Sequence, residues 1–291
     1  MLKTLVAGAV AGSILLGAGA ARADGDALGP RATGVGESLR AAATGALATV
    51  LNPAGLTLAR NYVVEASYGY RHADHTHVQA VSICDSVTTR VGACVFYNHV
   101  SADPTVPGDL YLHEGGITMS TPMGPLSLGV TNKYVSYNES MTETVPVDSS
   151  HKGFVFDAGL TYRVFPTFTV AAVGYNILGS DDSRYSTAMG FGVAFNAMDR
   201  LLLAADAKYD FETENARYGG GVEYLFTSGQ AQQGMPIRGG YVYDSGSGAS
   251  YITGGLGFIT TKIAIDSALR KQVNHGSELM FQFSLRLFLP G

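Results

Sequence analysis

The sequence predicts an all-β membrane protein: a 14-stranded antiparallel transmembrane β-barrel with a short N-terminal helical plug. Three observations support this fold class. The chain starts with a pattern typical of an export signal. Charged residues make up only 15% of it, against about 25% in an average soluble domain. From residue 60 onward, apolar and polar residues alternate in segments long enough to cross a bilayer as tilted strands, which takes about 9–11 residues.

Residues 1–23 are predicted to be a secretory signal peptide. Lys3 supplies a positive charge, residues 5–16 are apolar, and Ala21-Arg22-Ala23 has the small-x-small form of a cleavage site. The alternative is a retained N-terminal membrane helix. The rest of the chain has no apolar run of about 18 residues that would span a bilayer as a helix.

Residues 24–58 are predicted to form the plug. Within residues 36–51 the apolar side chains recur at a helical spacing, at Leu39, Ala43, Leu47 and residues 50–51. Pro53 disfavours helix at the preceding residue, so the predicted helix ends at Asn52. Gly55 permits a tight bend before the first strand. A 14-stranded wall is too wide for its own side chains to fill, which favours an inward-folded segment. A helix in the periplasm or at the membrane surface is the alternative.

Residues 59–291 are predicted to form the barrel. In the last segment, Phe281, Phe283 and Leu285 alternate with Gln282, Ser284 and Arg286, which places the two sets on opposite faces of a sheet. Aromatic residues on one face and charges on the other are typical of a lipid-facing surface and a polar lumen. The predicted strands are 60–71, 76–85, 91–101, 109–120, 125–136, 152–163, 167–177, 185–196, 199–210, 217–227, 235–244, 250–259, 261–270 and 277–289.

The charges of these strands are predicted to lie in the lumen. They are Glu65, Asp157, Arg163, Asp206, Lys208, Glu223, Arg238, Asp266, Arg270 and Arg286. Mixed charges inside a barrel typically pair with one another and hold the plug and the strand register. Acid–base chemistry is the alternative, but the sequence has none of the common nucleophile, phosphate-loop or zinc motifs. We therefore expect no enzymatic activity and no cofactor, and the net charge of −5 gives no reason to expect nucleic acid.

The two cysteines are candidates for a disulfide. If residues 86–90 form a turn, Cys84 and Cys94 lie opposite one another on neighbouring strands. An exported protein meets an oxidising compartment, where disulfides persist. A pair of free, half-buried thiols is the alternative.

A histidine-rich stretch in the first outer loop is the one candidate metal site. His75 and His77 share a face, and His72 or Asp74 would add a further ligand. Imidazole and carboxylate together suit zinc or copper. The favoured interpretation is a solvated barrel rim with no metal.

The segment GESLRAAATGALATVLNPAGL, followed by an aromatic alternating strand, resembles the start of the FadL superfamily of outer-membrane barrels. The segments GVEYLF, PIRGGYVYD, ASYITGGLGF and IAIDSALR resemble its PorV-type branch. The resemblance implies a bacterial outer-membrane location, fourteen strands and an N-terminal hatch whose motif is Asn52, Pro53 and Ala54, followed here by Gly55. It also implies a kinked third strand that opens the wall sideways. The matching region is 91–102, whose interior holds no proline and no glycine beyond Gly92.

Two functions follow from the resemblance. The first is a channel for passive uptake of hydrophobic small molecules, such as long-chain fatty acids or aromatic hydrocarbons, through a plugged barrel. Its partners would be outer-membrane lipid and the solute. The second is a PorV-like role in protein secretion or surface assembly, with exported proteins as partners. A structural barrel without transport is a third possibility.

Overall fold

The computed structural model describes residues 27–102, 109–140, 148–178, 185–227 and 233–290. The predicted signal peptide, residues 1–23, lies outside these ranges. The described residues form fourteen strands that pair antiparallel with their neighbours in sequence, and β1 pairs with β14 to close the barrel. The predicted fold class is therefore confirmed. No helix among the described residues is both long and apolar enough to cross a bilayer.

The strands follow the predicted order with small differences at their ends. They are β1 Tyr62–Arg71, β2 Thr76–Asp85, β3 Gly92–Ser101, β4 Asp109–Met123, β5 Leu126–Ser140, β6 Asp148–Phe165, β7 Phe168–Leu178, β8 Ala188–Met198, β9 Leu201–Asp210, β10 Asn215–Thr227, β11 Gln233–Asp244, β12 Ala249–Thr260, β13 Ile263–Gln272 and β14 Leu279–Leu289.

The largest difference from the predicted bounds is in β4, β5 and β6, which are longer than expected. The turn predicted at residues 121–124 is only two residues, Gly124 and Pro125, and Gly124 adopts a positive φ of 67°. A glycine in this conformation reverses the chain without steric cost. The flanking residues are therefore free to continue the ladder.

The two faces of the wall differ as the alternation predicts. On β14, Phe281, Phe283 and Leu285 are exposed, whereas Gln282 and Ser284 are buried. In a closed barrel the buried set faces the lumen and the exposed apolar set faces the outside. The described part of the wall therefore presents an apolar outer surface.

The connections divide the barrel into two ends. We call the end where β1 begins and β14 finishes the terminal end, and the opposite end the loop end. Turns at the terminal end include the two-residue connections 124–125, 166–167, 199–200 and 261–262, whereas the loop-end connections are longer. Short turns on one side and longer loops on the other are typical of outer-membrane barrels, with the short turns on the periplasmic side.

Residues 27–58 lie before the first strand and are called the hatch below. The hatch contains helix α1 (Gly29–Gly34), a 3-10 turn (Arg40–Ala42), helix α2 (Ala46–Val50) and a second 3-10 turn (Pro53–Thr57). The single helix predicted over residues 36–51 is wrong. Gly36, Glu37 and Gly45 have positive φ values of 66°, 60° and 59°, so the chain bends at these points and follows the inner wall. The stop predicted at Asn52 agrees with the end of α2.

Candidate functional site

The hatch packs against the inner wall along most of its length. Leu39, Ala43, Leu47 and Leu51, the apolar positions noted in the sequence, are all buried. They belong to one cluster with Val63 of β1 and Ala204 of β9. The spacing therefore identified the buried side chains, although they are not carried by one helix.

Asn52 fixes the hatch to the wall and to itself. Its side chain is fully buried. The Nδ2 group donates hydrogen bonds to the Arg40 carbonyl at 3.0 Å and to Thr161 Oγ1 of β6 at 2.8 Å. Its Oδ1 accepts from the Ala54 backbone N–H at 3.1 Å. This cap starts the 3-10 turn, in which Pro53 needs no hydrogen-bond partner for its nitrogen.

The rest of the motif is held by hydroxyl groups near the terminal end. The Ala54 carbonyl accepts hydrogen bonds from Ser120 Oγ of β4 at 3.1 Å and from Ser127 Oγ of β5 at 2.8 Å. Thr57 Oγ1 lies 2.8 Å from the same Ser127 hydroxyl. The segment from Asn52 to Thr57 is thus bound to three successive strands.

Inward-facing glycines let the hatch backbone approach the wall. A Cβ atom on Gly129 would overlap the backbone of Pro53 and Ala54, and one on Gly159 would overlap Asn52 Oδ1. Such close approach is possible only where the wall residue has no side chain. We call these two glycines, together with Gly219, Gly221 and Gly240 opposite residues 35–36, the glycine cradle.

Arg31 joins the hatch to a chain of charges on the wall. Its Nη2 lies 2.9 Å from Glu223 Oε1 of β10. Glu223 also pairs with Arg238 of β11 at 2.6 Å, and Arg238 pairs with Asp266 of β13 at 2.5 Å. Asp266 pairs in turn with Arg286 of β14. Four predicted lumen residues therefore lie in one continuous network.

Glu37 forms a second link, to β10 and β13. Its carboxylate lies 2.7 Å from Arg217 Nε and 2.8 Å from Arg270 Nη1. Burial would raise the pKa of Glu37, but the charges and hydrogen bonds of the two guanidinium groups hold the pKa down at about 2. Glu37 is therefore ionised at neutral pH.

Arg40 forms a third link, to β9 and β7. Its Nη1 lies 3.0 Å from Asp206 Oδ2, its backbone N–H donates to the same oxygen at 2.9 Å, and its Nε donates to Tyr175 Oη at 2.8 Å. Lys208 extends this group, with its Nζ 4.8 Å from the centre of the Tyr175 ring. Predicted residue Asp206 therefore pairs with a hatch residue, and predicted residue Lys208 lies beside this pair at Tyr175.

The remaining predicted charges are placed differently. Asp157 pairs with Lys133 of β5 at 3.1 Å, away from the three arginine and glutamate links. Glu65 of β1 lines a cavity described below. Arg163 has the inward parity of β6 but is exposed near its terminal end, so it is not part of the buried network.

The sequence interpretation missed the hatch side of this network. Arg31, Glu37 and Arg40 each pair with a wall residue that alternation had placed in the lumen or beside it. Arg217, Lys133 and Tyr175 were also missed. The sequence did contain a signal for the hatch side of the network. Arg31, Glu37 and Arg40 are the charged residues of a hatch segment otherwise made of small and apolar residues.

Cys84 and Cys94 lie opposite each other on β2 and β3 and form a disulfide. Both face inward, are buried, and pack in the same cluster as the hatch. The bridge joins the two strands near their terminal ends. β3 pairs with β2 and β4 without any register shift, so the described structure shows no kink in the region 91–102.

The side chains of the histidine-rich stretch make hydrogen bonds and ring contacts with neighbouring side chains. Tyr68 and Tyr70 make hydrogen bonds with His77 Nδ1 at 2.8 Å and His75 Nδ1 at 2.9 Å. Burial would raise the pKa of Asp74, but hydrogen bonds and charge from Arg71 lower the pKa below its usual value. His72 contributes only ring contacts, to Tyr70 and His75. Within the described ranges, no group of three metal-ligating side chains is arranged to hold an ion.

A cavity of about 40 Å³ lies between the hatch and the wall formed by β14, β1, β2 and β3. Leu28, Leu47 and Phe96 form apolar parts of its lining, and Arg31, Glu65 and Arg286 form charged parts. The cavity therefore lies on the side of the hatch away from the glycine cradle.

The lumen above this cavity, toward the loop end, is apolar on one side. Inward-facing residues of β2 to β6 and β14 form a buried cluster there, with Tyr137, Tyr185 and a partly buried Ala27 beside it. We call it the apolar lining; its aliphatic members are Val78, Val100, Leu112, Val135, Val155 and Met280. Ala27 also lines the cavity, so the lining and the cavity adjoin.

Comparison with known proteins identifies the architecture. No protein-family model and no curated protein sequence matches the chain. The crystal structure of the toluene transporter TodX from Pseudomonas putida matches with a TM-score of 0.68 and 11% identity, over 91% of this chain and 99% of TodX. A FadL homologue from Pseudomonas aeruginosa matches with a TM-score of 0.63 and 12% identity, over 89% of this chain and 98% of the homologue. The chain therefore has the fold of FadL-type outer-membrane barrels.

Proposed function

We propose that this chain is an outer-membrane channel for passive uptake of hydrophobic small molecules, such as long-chain fatty acids or aromatic hydrocarbons. The observation that carries the proposal is the apolar lining. Barrels that conduct polar solutes have a polar, water-filled interior, whereas Val78, Val100 and Leu112 face inward here. An apolar solute leaves water favourably for such a surface.

The fold gives independent support. One of the proteins with this architecture is a transporter of toluene. The apolar outer surface suits contact with acyl chains, and the predicted export signal and the short terminal-end turns suit the outer membrane of a bacterium. On this proposal the protein conducts a solute without changing it and is not an enzyme.

On this proposal, the path is closed in the described structure. The cavity beside the hatch holds about 40 Å³, whereas an apolar cavity that binds benzene measures about 150 Å³. A solute of that size would pass only if part of the hatch moved. The proposal therefore needs a hatch segment that separates from the wall at low cost.

Residues 44–50 come nearest to this requirement, because apolar packing of Leu47 and Ala48, rather than polar contacts, holds them against the wall. Within the described structure, their only side-chain hydrogen bond is internal, from Thr49 Oγ1 to the Ala46 carbonyl. The flanking residues Arg40 and Asn52 are bound to the wall by buried polar contacts. Moving α2 alone would enlarge the cavity on the side of β2 and β3 and leave these contacts in place.

Uptake of labelled toluene or palmitate into vesicles that contain the protein and have an outer leaflet of lipopolysaccharide, which apolar solutes cross slowly, tests the proposal. We expect uptake above that of protein-free vesicles, and loss of it in Val100→Asp, because a carboxylate would interrupt the apolar lining. The matched control is Val242→Asp. Val242 is equally buried and also close to the loop end of its strand, two residues before Asp244 where Val100 is one residue before Ser101, but it lies on β11, outside the apolar lining.

Two results would contradict the proposal. One is wild-type uptake equal to that of protein-free vesicles. The other is unchanged uptake in Val100→Asp when circular dichroism shows that both variants fold. Loss of uptake in both variants would show that the effect of a carboxylate is not specific to the apolar lining, which would remove the observation that carries the proposal.

A PorV-like role in secretion or surface assembly is the second candidate. It is favoured by the ion-pair network, since Arg31, Glu37 and Arg40 join the hatch to β9, β10 and β13, and by the small volume of the cavity beside the hatch, about 40 Å³. A strain that lacks the protein would then lose exported proteins from its surface while its solute uptake stayed normal. The opposite pattern would support the channel.

A further inference from the structure

Three inward-facing residues meet at the wall of the cavity. In the strand register, Glu65 of β1 lies opposite Arg286 of β14 on one side and opposite Ser82 of β2 on the other. All three line the cavity. A carboxylate, a guanidinium and a hydroxyl are therefore side by side across three strands at one height in the barrel.

Two polar atoms of this group have no hydrogen-bond partner among the described residues. They are Ser82 Oγ and Arg286 Nε, both inaccessible to solvent. Ser82 as a whole is only 4% exposed. Buried polar atoms in native proteins are nearly always paired, and an exception indicates a bound water or a ligand. The cavity of about 40 Å³ exceeds the roughly 10–15 Å³ that one water requires.

The charges around the cavity balance. Arg31, Arg238 and Arg286 are matched by Glu65, Glu223 and Asp266, most of them already joined in ion pairs. The described residues of this network therefore carry no net charge that would attract an ion. Arg286 Nε donates a hydrogen bond, Glu65 accepts one, and the Ser82 hydroxyl does either. A neutral group that both donates and accepts suits this set.

We infer that the cavity is a subsite for the hydroxyl group of an otherwise apolar solute, an alcohol or a phenol. The inference rests on the proposed uptake function and narrows its substrate class. The solute oxygen accepts from both Ser82 Oγ and Arg286 Nε, and its proton is donated to Glu65. The apolar body lies against Leu28 and Phe96 and extends past Ala27 toward the apolar lining.

The size of the cavity supports a polar subsite. About 40 Å³ accommodates a hydroxyl group with its neighbouring carbon atoms but not a whole aromatic ring. A hydrocarbon would leave Ser82 Oγ and Arg286 Nε buried and unpaired, whereas an alcohol or phenol satisfies them. The site therefore distinguishes solutes that are equal in shape and differ by one hydroxyl.

The test compares p-cresol with toluene, which differ by that group alone. Each labelled solute is equilibrated by dialysis with the purified full-length protein in detergent, and binding to protein-free detergent is subtracted. We expect p-cresol to bind about 3- to 10-fold more tightly than toluene, the effect of about one net hydrogen bond. Ser82→Ala should reduce this ratio to near one with little change for toluene.

Two further variants separate the subsite from a structural effect. Ser82→Thr keeps the hydroxyl and should keep the preference for p-cresol. Ser267→Ala makes the same change on the outer face of β13, where the serine hydroxyl donates to the Leu256 carbonyl, and should behave as wild type. Thermal unfolding followed by circular dichroism verifies that each variant is folded.

The binding results distinguish failure of the hydroxyl subsite from failure of the proposed uptake function. Equal binding of p-cresol and toluene by wild type would overturn the subsite and leave hydrophobic uptake standing, with water as the occupant of the cavity. A preference that is undiminished in Ser82→Ala would also overturn the subsite. Failure to bind either solute would contradict the proposed function together with the inference.

Discussion

Glu37 and Arg270 form an ion pair across 233 residues of sequence, with Arg270 Nη1 2.8 Å from Glu37 Oε1. Arg217 binds the same carboxylate from the neighbouring side. One hatch carboxylate is thus shared by two wall guanidinium groups in a site where Glu37 is only 6% exposed. This arrangement makes Glu37 the most informative residue for testing how the hatch is held.

Glu37→Gln should loosen the hatch. It removes the charge that pairs with Arg217 and Arg270, which keep Asp244 and Glu278 as partners. The cost should therefore be below the roughly 3–5 kcal/mol of a buried charge left without any partner. Hydrogen exchange measured by mass spectrometry should show faster exchange of the amides of residues 29–42. Glu212→Gln, in an exposed loop, is the matched control. Unchanged exchange in Glu37→Gln would show that the glycine cradle alone holds this segment.

Acid should weaken the same contact. The pKa of Glu37 is about 2 in the folded protein against an ordinary value of 4.5. A lowered pKa means that the stabilisation is fully present above about pH 4.5 and is lost as pH falls toward 2. The protection of the hatch amides, corrected for the intrinsic pH dependence of amide exchange, should fall across this window in wild type. In Glu37→Gln the exchange is already fast and should depend less on pH, so an equal pH response in both proteins would contradict the assignment.

Asn52→Ala should release the motif segment. The change removes hydrogen bonds to the Arg40 carbonyl, Thr161 Oγ1 and the Ala54 backbone. Loss of buried hydrogen bonds typically costs about 1–3 kcal/mol. Exchange of residues 52–57 should increase, and residues 44–50 should become accessible to a thiol reagent after Val50→Cys in a protein without Cys84 and Cys94.

The control for this change is Asn132→Ala, since Asn132 is exposed on the outer face of β5. It should leave both measurements as in wild type. If both asparagine variants behave alike, the cap made by Asn52 does not restrain the hatch.

A methyl group in the glycine cradle should displace the hatch. A Cβ on Gly159 would overlap Asn52 Oδ1, whereas a Cβ on Gly239 has no atom within 4 Å. Overpacking of this kind typically costs about 1–3 kcal/mol. Gly159→Ala should therefore lower the midpoint of thermal unfolding and speed hatch exchange, and Gly239→Ala should change neither. Similar behaviour of the two variants would remove the close approach as the reason for glycine at residue 159.

The strand pattern was readable because alternation is a local property. Each side chain of a strand points opposite to its neighbours, so Phe281 and Phe283 were assigned to the outer face from β14 alone. The inward charges Glu223, Arg238 and Asp266 followed from the same rule. Cys84 and Cys94 could be placed opposite each other because one short turn fixes the register of a hairpin.

The path of the hatch backbone could not be predicted from the sequence in the same way. The spacing of Leu39, Ala43 and Leu47 identified a buried face but suggested one continuous helix, because helical spacing says nothing about the surface against which the residues pack. The wall imposes bends at Gly36 and Gly45, where the backbone has a positive φ. Asn52 was singled out from its motif, but its contact with Thr161 depends on the depth of the hatch in the barrel.

By itself, the sequence determined the number of strands, their order and the side of the wall on which each side chain lies. These depend on contacts between residues that are adjacent in the chain or joined by one turn. Only the tertiary structure decided that Arg31, Glu37 and Arg40 pair with Glu223, Arg270 and Asp206. Those partners meet because the closed wall brings distant strands around one segment, and a linear pattern carries no information about that distance.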